Sequence, residues 1–330
     1  MKPGAAGGGI AVVAIGRNEG ERLRACLTSV LRFASLVVYV DSNSTDDSVA
    51  MARAMGVEVI VLPPKVAFTA ALARNAGWRR AIELAPQVEF IQFVDGDCAV
   101  VDGWMPQAHD FLMAHPDVVA VCGRRRERHP ERSIYNLLCD FEWASPIGEA
   151  RSCGGDVMMR AAALQAVGGY RDSLIAGEEP ELCVRLRAKG GRVWRLDAEM
   201  TLHDAAMLRI GQWWKRSMRA GYAYAEGAHL HGAPPERHCV RASRRAWVWG
   251  LGIPLAAVLG ALLLSSWWLV ILLVYPLQML RLYQGFDGTL KARAARAAFS
   301  MLGKFAEASG QLKFIWLRFT GGRARLIEYK

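Results

Sequence analysis

"EFIQFVDGDCAV", residues 89–100, decides the fold. Six mostly apolar residues run directly into Asp95-Gly96-Asp97. A short, near-continuous apolar run reads as a strand buried on both faces, which is the habit of a parallel sheet covered by helices. In open α/β sheets, ligands bind beyond the carboxyl ends of the strands. Two carboxylates separated by glycine can point at one place there without crowding. Carboxylate oxygens combined with the oxygens of a diphosphate are what Mg²⁺ or Mn²⁺ prefers. The tripeptide alone is a weak signal, because aspartate closes many strands as a turn residue. An EF-hand is excluded: Ala99 takes the third ligand position and Pro106 that of the terminal glutamate.

The chain before this stretch alternates strand-like and helix-like segments. "GIAVVAI" (9–15), "SLVVYV" (35–40) and "VEVIVL" (57–62) are short and rich in β-branched residues. The intervening "GERLRACLTSVLRFA", "STDDSVAMARAMG" and "AFTAALARNAGWRRAIELA" have helical spacing. This alternation predicts an α/β fold, a Rossmann-like mostly parallel sheet with helices on both faces. Beyond residue 115 the pattern loosens. "DVVAVCGRR" and "RVWRL" read as strands, and "PELCVRLRAKGG" as a helix with Pro180 in its first turn and Gly190 at its exit.

Polar groups collect where the first strands end. "IGRNEGE" offers Arg17, Asn18 and Glu19, "VDSNSTDDS" offers Asp41, and "LARNAGW" on the third helix offers Arg74. Taken singly, each has a structural reading: Asn18, Ser44 and Thr45 as helix caps, Asp41 as a turn residue, Arg74 as a surface helix residue. Taken together they describe a nucleotide pocket.

"AIGRNEGERLRACLTSVL", "VVYVDSNSTDDSVAMARAMGVEVI", "ARNAGWRRA" and "FVDGDC" resemble the nucleotide-sugar half of a family 2 glycosyltransferase with a GT-A fold. The resemblance covers about residues 9 to 204. It implies an inverting transfer of a sugar from a nucleoside diphosphate, usually UDP, to an acceptor hydroxyl. Asp41 then matches the acid that reads the base, Arg17, Asn18 and Glu19 the first nucleotide-contacting loop, and Arg74 a basic residue near base or diphosphate. Asp95 matches the ribose- and metal-proximal member of the DXD motif and Asp97 the direct metal ligand. An aromatic residue often stands where Arg17 does; here a guanidinium would stack on the base instead. "SCGGDVMMRAAALQAVGGYRD" (152–172) resembles the segment beneath the donor sugar, with Gly155 and Asp156 near it. "AGEEPELCVRL" resembles the family's acidic pair, usually Glu-Asp. Inversion needs a base on the acceptor hydroxyl, so Glu179 is the expected base, with the choice between Glu178 and Glu179 open. As a helix start, Glu179 would also suit the dipole. His203 in "LHDAAM" matches a third metal ligand, and a lone histidine also suits a structural role.

The 330 residues carry Lys+Arg 41 against Asp+Glu 31, a net charge of +10, and an apolar fraction of 52%. Disorder is excluded by that apolar content, and the charge favours anionic partners. Seven scattered cysteines without a CxxC pair read as free thiols. "MKPGAAGGGI" lacks a basic region followed by an apolar run, so no signal peptide is expected. Between Arg245 and Arg281 lie 35 uncharged residues. One helix of that length would span about 52 Å, against a hydrocarbon core of about 30 Å. Two spans, about 246–264 and 266–283, turning near Ser265-Ser266, fit. Arg241, Arg244 and Arg245 precede them, and Arg281, Lys291, Arg293 and Arg296 follow, which suits a hairpin with both ends in the cytoplasm. Trp247, Trp249, Trp267 and Trp268 sit near the proposed span ends, as interfacial aromatics do.

The expected organisation is a GT-A domain over 1–235 (nucleotide-sugar half about 9–100, acceptor half about 101–235), a membrane hairpin over 236–290 and an amphipathic interfacial tail over 291–330. The catalytic face is expected in the cytoplasm at the inner membrane. The expected partners are a nucleotide-sugar donor, a glycan or lipid-linked acceptor and the membrane. Nucleic acid is set aside, because the basic residues cluster beside apolar segments. A nucleotidyltransferase would need a Gly-rich basic first loop, and "IGRNEGE" carries one arginine against two acids. A non-enzymatic adaptor would have no use for an intact DXD and acidic pair. A processive synthase is disfavoured by two short spans and by "QWWKR" (212–216), which lacks the QXXRW ending.

Overall fold

The computed structural model describes residues 9–64 and 68–322. The N-terminal stretch read for a signal peptide and the final eight residues of the predicted tail fall outside that range, apart from Gly9 and Ile10. The chain forms two compact units. The first comprises residues up to His129 with Cys139–Ala205, and the second Pro130–Leu138 with Ala206 onward. The helix Ile210–His231, which the sequence reading gave to the acceptor half, therefore belongs to the second unit.

The first unit is built on nine strands: β1 (Ile10–Gly16), β2 (Leu36–Asp41), β3 (Glu58–Val61), β4 (Phe90–Asp95), β5 (Cys98–Val100), β6 (Val118–Glu127), β7 (Gly148–Glu149), β8 (Val157–Arg160) and β9 (Arg192–His203). Their order is β3-β2-β1-β4-β8-β6-β9-β5, with β7 on β9. The predicted strand–helix alternation holds for β1 to β4, which are all parallel. The sheet as a whole is mostly parallel, as expected: β1, β2, β3, β4, β6 and β9 run one way and the short β5, β7 and β8 run against them. β8 runs antiparallel to both β4 and β6, β5 and β7 run antiparallel to β9, and only β6 with β9 restores a parallel pair. The sheet is therefore mixed. The cause is the short β8, whose apolar Val157, Met158 and Met159 are buried on both faces like any central strand but enter from the opposite end.

The core lies on both sides of this sheet. On one face Tyr39, Phe90, Leu23, Leu27, Trp104 and Met158 pack together. On the other, Val13, Ile91, Phe93, Trp78, Met159 and Leu182 do the same. Helix Ala70–Leu84 begins at Thr69, whose hydroxyl accepts from Leu72 N at 3.1 Å, a cap the threonine provides unaided. Gln92, buried on β4, accepts at Oε1 from Trp104 Nε1 at 2.9 Å, so that this polar residue in the sheet is satisfied.

Reversing β8 has a geometric result. Antiparallel neighbours bring the start of one strand beside the end of the other, so the residues just before β8 stand at the rim where β4 ends. The same logic brings the start of β5 beside the end of β9, where Cys98 pairs with His203. The ends of β1, β2, β4, β6 and β9 and the starts of β5 and β8 thus share one rim.

The second unit is helical. Two segments, Val240–Leu263 and Ser266–Gly285, are long and apolar enough to cross a membrane by length and composition. They meet at Leu264-Ser265, within a residue of the predicted turn, and Ser265 Oγ caps the following segment by accepting from Trp267 N. The first contains a π-helical turn at Val248–Gly252, ahead of Pro254, and the second opens as a 3₁₀ stretch over Ser266–Leu273. The predicted tail forms helix Leu290–Thr320, but it does not lie by itself as an amphipathic strip. A side chain at Gly310 would strike Met218 O, and one at Gly221 would strike Glu307 O, so glycine is what allows this helix and Ile210–His231 to approach backbone to backbone. Met301, Ala306, Ala308 and Gln311 are buried along it, and Gln311 accepts from Ser243 Oγ at 2.6 Å while donating to Ser243 O at 3.1 Å. Packing accounts for these buried positions of its apolar stripe, while Leu290, Leu302, Leu312, Trp316 and Phe319 stand exposed along it.

Candidate active site

Three layers of charged side chains occupy the rim. The first is Asp95, whose carboxylate accepts from Arg74 Nη2 at 2.7 Å. Arg74 Nη1 reaches Glu178 Oε1 at 2.6 Å, so one guanidinium joins the end of β4 to the start of helix Glu178–Ala188. Arg74 is 2% exposed. Burial opposes its charge, but the two carboxylates outweigh that and hold it above the ordinary arginine value. This joint needs Gly155. A Cβ there would lie 2.6 Å from Arg74 Nη2 and 2.7 Å from Asp95 Oδ2.

The second layer is Asp156, fully buried just before β8. It accepts from Asp95 N at 3.0 Å, from Thr201 Oγ1 at 2.7 Å and lies 2.9 Å from Arg125 Nη2. Arg125, from β6, is held charged in the same way: burial opposes it, and Asp156 with Asp95 outweighs the burial. Asp156 therefore supports the β4 end from below; its carboxylate is committed inside the protein.

The third layer holds the metal-type donors. His203 Nε2 lies 3.4 Å from Asp97 Oδ2, and His203 Nδ1 lies 3.5 Å from Glu127 Oε2. Trp143 packs edge-on against the imidazole at 4.7 Å between ring centres. Glu127 is itself fixed by Ala205 N at 3.0 Å and His129 N at 3.1 Å. A carboxylate behind the far nitrogen of a histidine is how metal-binding imidazoles are usually oriented. Asp97, Cys98 and His203 bring ligand atoms within 4.8 Å of one another, as do Asp95, Cys98 and Asp156. Burial keeps the Cys98 thiol well above its ordinary pKa, so the oxygen and nitrogen donors of Asp97 and His203 are the relevant pair. The carboxylates of Asp95, Asp97, Glu127, Asp156 and Glu178 outnumber the guanidiniums of Arg74 and Arg125, an excess of negative charge that a hard divalent cation offsets. The residues fit Mg²⁺ or Mn²⁺.

Other expected site residues are placed differently. Asp41 is fully buried, and its two oxygens accept from Tyr39 Oη at 2.8 Å, Ser44 N at 2.7 Å and Ser44 Oγ at 2.5 Å. Those bonds shape the turn after β2, and in this arrangement the carboxylate does not face outward to read a base. Asn18 has φ 55°, and stitches the turns after β1 and β2 together: its N donates to Ser44 Oγ at 2.9 Å and its Oδ1 accepts from Thr45 N at 2.7 Å. Glu19 pairs with Arg22 at 2.8 Å. Arg17 is exposed, with its guanidinium 5.5 Å from the centre of the Phe68 ring.

The acidic pair divides. Glu179, the expected base, is 1% exposed. Its oxygens accept from Cys153 N and Gly154 N, each at 2.9 Å, and from Cys183 Sγ. Burial pushes its pKa up, and those donors only partly oppose it. It clamps the loop that carries Gly155 and Asp156. Glu178 is the member that faces Arg74 and Asp95. Sequence reading missed Arg125, Glu127, Trp143 and Thr201. The first two lie inside "GRRRERH", which reads as a solvated charge run; alternation along a strand is what sends Arg125 and Glu127 to one side.

Residues 11–154 match the family described as Glycosyl transferase family 2. The matched segment, less than half of the chain, resembles that family and ends just before β8; the sheet into which it is built has the GT-A fold. A mannosyltransferase, PcManGT from Pyrobaculum calidifontis in complex with GDP-Man and Mn²⁺, has a similar fold over 93% of this chain and 87% of its own, with TM-score 0.63 and 18% identity. Glucosyl-3-phosphoglycerate synthase from Mycobacterium tuberculosis, in complex with Mn²⁺, UDP-glucose and phosphoglyceric acid, aligns over 70% of this chain and 82% of its own, with TM-score 0.49 and 17% identity. A curated relative from Rickettsia felis, described as an uncharacterized glycosyltransferase, is 43% identical over 54 residues, 16% of this chain and 19% of the relative. The match thus spans about a fifth of that relative's length.

Proposed function

We propose that this protein is a metal-dependent, inverting glycosyltransferase that moves a sugar from a nucleoside-diphosphate sugar to an acceptor hydroxyl at a membrane. The observation that carries this reading is the pairing of Asp97 with His203, backed by Glu127, on the same rim as the Asp95–Arg74–Glu178 chain. Asp97 and His203 would hold Mg²⁺ or Mn²⁺, with Asp95 alongside. Bound there, the cation would supply electrostatic stabilisation for the charge that develops on the leaving diphosphate. The mannosyltransferase of similar fold carries both GDP-Man and Mn²⁺, which supports a nucleotide sugar and a divalent ion together; UDP is favoured over GDP by the family resemblance.

Arg74 places a fixed positive charge between Asp95 and Glu178. The guanidinium holds the Glu178 carboxylate in place at the rim while leaving it partly exposed. Glu178 is accordingly the proposed base that takes the acceptor's hydroxyl proton, on the opposite side of the sugar from the diphosphate. Glu179 holds the loop beneath. Burial of Glu179 and the partial exposure of Glu178 support this division over the reverse.

The apolar helices Val240–Leu263 and Ser266–Gly285 support a membrane hairpin with both ends on the cytoplasmic side, and hence a lipid-linked or membrane-delivered acceptor. The first 205 residues, less 130–138, would then be the catalytic body, and the second unit the anchor. The test is a screen of UDP- and GDP-sugars with the detergent-purified full chain and Mn²⁺ or Mg²⁺. Release of nucleoside diphosphate from one donor, lost in EDTA and restored by metal, is the expected result. No release from any donor would overturn the reading.

A further inference from the structure

The positive charge of the chain is not shared evenly. Residues 1–205 carry 23 Lys and Arg against 26 Asp and Glu, whereas residues 206–330 carry 18 against 5. The excess that favours anionic partners therefore belongs to the part of the chain that bears the apolar segments. No acid occurs between Glu236 and Asp287. The basic residues of that stretch, Arg237, Arg241, Arg244, Arg245 and Arg281, border the uncharged run and do not interrupt it.

The fold of the second unit orients them. Helix Val240–Trp247 opens the first apolar segment, and one side of it is pinned within the unit: Ser243 Oγ donates to Gln311 Oε1 at 2.6 Å, and Ala246 is fully buried. Arg241, Arg244 and Arg245, three and four positions apart, share the opposite side of the helix and are exposed. Beyond them the exposed side chains are Val248, Leu255, Leu259 and Leu262. The surface thus changes from guanidinium to aliphatic carbon within about one turn of helix. The second segment returns alongside the first. Tyr275 Oη donates to the Trp249 carbonyl, their rings lie 5.6 Å apart, and a side chain at Gly260 would strike the Trp268 ring. Residues 249 and 260 meet 275 and 268 in reverse order, so the hairpin is antiparallel. Arg281 therefore leaves by the end at which Arg241, Arg244 and Arg245 enter, and the turn at Leu264-Ser265 carries no charge.

Resting on the proposed membrane hairpin, we infer that this end is a binding surface for the headgroup phosphates of anionic phospholipids, at the bilayer face where both chain ends emerge. With Leu255, Leu259 and Leu262 in hydrocarbon, Arg241, Arg244 and Arg245 stand at the level of the headgroups. Their long stems cover apolar surface while the guanidiniums reach the phosphates. Each basic residue beside a negatively charged leaflet is worth about fivefold in affinity. A role confined to setting topology during insertion would leave the finished protein with no preference among lipids, and that difference is what the experiment reads.

The experiment uses the full chain in phosphatidylcholine bilayers. Electron spin resonance measures how much spin-labelled phosphatidylglycerol, and how much spin-labelled phosphatidylcholine, the protein holds motionally restricted. Selection of phosphatidylglycerol by about fivefold or more is the expected result. The selection should fall towards unity in the combined variant Arg241→Gln, Arg244→Gln, Arg245→Gln, and in about 1 M salt. Replacing the same three arginines with lysine should keep most of it. A second combined variant, Arg32→Gln, Arg53→Gln, Arg79→Gln, removes the same charge from exposed positions of the first unit and should leave the selection unchanged. Equal restriction of both labels by wild type would overturn the inference, as would a selection that the two glutamine variants lower alike or that neither lowers. Absence of a restricted component with either label would remove the membrane hairpin on which the inference rests. Release of nucleoside diphosphate from a sugar donor, followed in the same samples, reports separately on the glycosyltransferase reading.

Discussion

In the first unit charged side chains are buried, while in the second large apolar side chains are exposed. Arg74, Arg125 and Asp156 lie inside the rim, each against an opposite charge, and Asp97 lies against the His203 imidazole. Leu262, Leu263 and Trp267 of the second unit are 75%, 76% and 79% exposed. Both conditions are unfavourable for a protein alone in water. Buried charge is tolerated when it is paired or when an ion completes it, and a broad exposed apolar surface is tolerated when its solvent is not water. The two regions thus call for different surroundings, which under the proposed function are a cation with a diphosphate for one and a bilayer for the other.

The largest expected effect tests the first half of this contrast. Asp97→Asn removes one anionic ligand and leaves the size of the side chain. Transfer should fall by about three orders of magnitude or more, measured as product formed at saturating donor and metal, and EDTA should do the same to wild type. Full activity of the wild type in EDTA would break the comparison at its root.

Glu178→Gln comes next. A positioned base contributes about 10²- to 10⁴-fold, so turnover should drop by that much while nucleotide affinity, measured by titration, stays within about threefold. Glu179→Gln should instead lower the melting temperature, because it disturbs the bonds to Cys153 N and Gly154 N. If Glu179→Gln loses turnover with its stability intact and Glu178→Gln does not, the two roles are reversed.

How far this contrast was legible in the sequence depended on the strand in question. β1 to β4 announce themselves, because each is an unbroken apolar run between helices, and Asp95 and Asp97 follow directly from the last of them. The hairpin is equally plain, since no charge interrupts residues 246–280. The far side of the rim was legible only through the family resemblance, which named Gly155, Asp156 and His203. β8 is four residues long and reversed, so nothing local marks Asp156 as a neighbour of Asp95. Arg125 and Glu127 hide in a run of charges whose alternating sides appear only once the strand is formed. Asp41 and Glu179 are the opposite case: their positions match the family's pattern, but their carboxylates point into the fold, and sequence position carries no information about direction. The tail misled for a related reason. Small residues spaced along a helix suit a lipid surface or a close helix–helix crossing, and Gly221 opposite Glu307, far off in sequence, decides for the second.

The second half of the contrast is tested by replacing Leu262, Leu263 and Trp267 with serine. Each buried apolar side chain is worth about 1.5–3 kcal/mol of transfer, so the variant should leave the membrane fraction more readily and need less detergent to stay dispersed. Unchanged partition would mean these side chains do not meet lipid.

The smallest effect concerns pH. The pKa of Glu179 is raised by burial above its ordinary value of 4.5, so the folded state holds that proton at a pH where the unfolded state has lost it. Stability then falls as pH rises from about 4.5 through the folded pKa, and Glu179→Gln should flatten that part of the curve. The slope is measured by denaturant titration across the window. A wild-type slope identical to the variant's would show that Glu179 is not buried in solution.

The reversal of β8 also bears on when the protein becomes competent during synthesis. Arg74 meets Glu178 across 104 positions and Asp95 meets Asp156 across 61. β4 is complete by residue 95 and waits for partners that the ribosome delivers much later. Until His203 emerges, Asp95 can pair with Arg74, but Asp97 has yet to meet the imidazole that faces it in the finished unit. Contacts this distant are slow to form, and they close together. Binding of a nucleotide with metal is therefore a report on the finished first unit, and a nascent chain halted short of residue 203 should fail to acquire it however long it is left to fold.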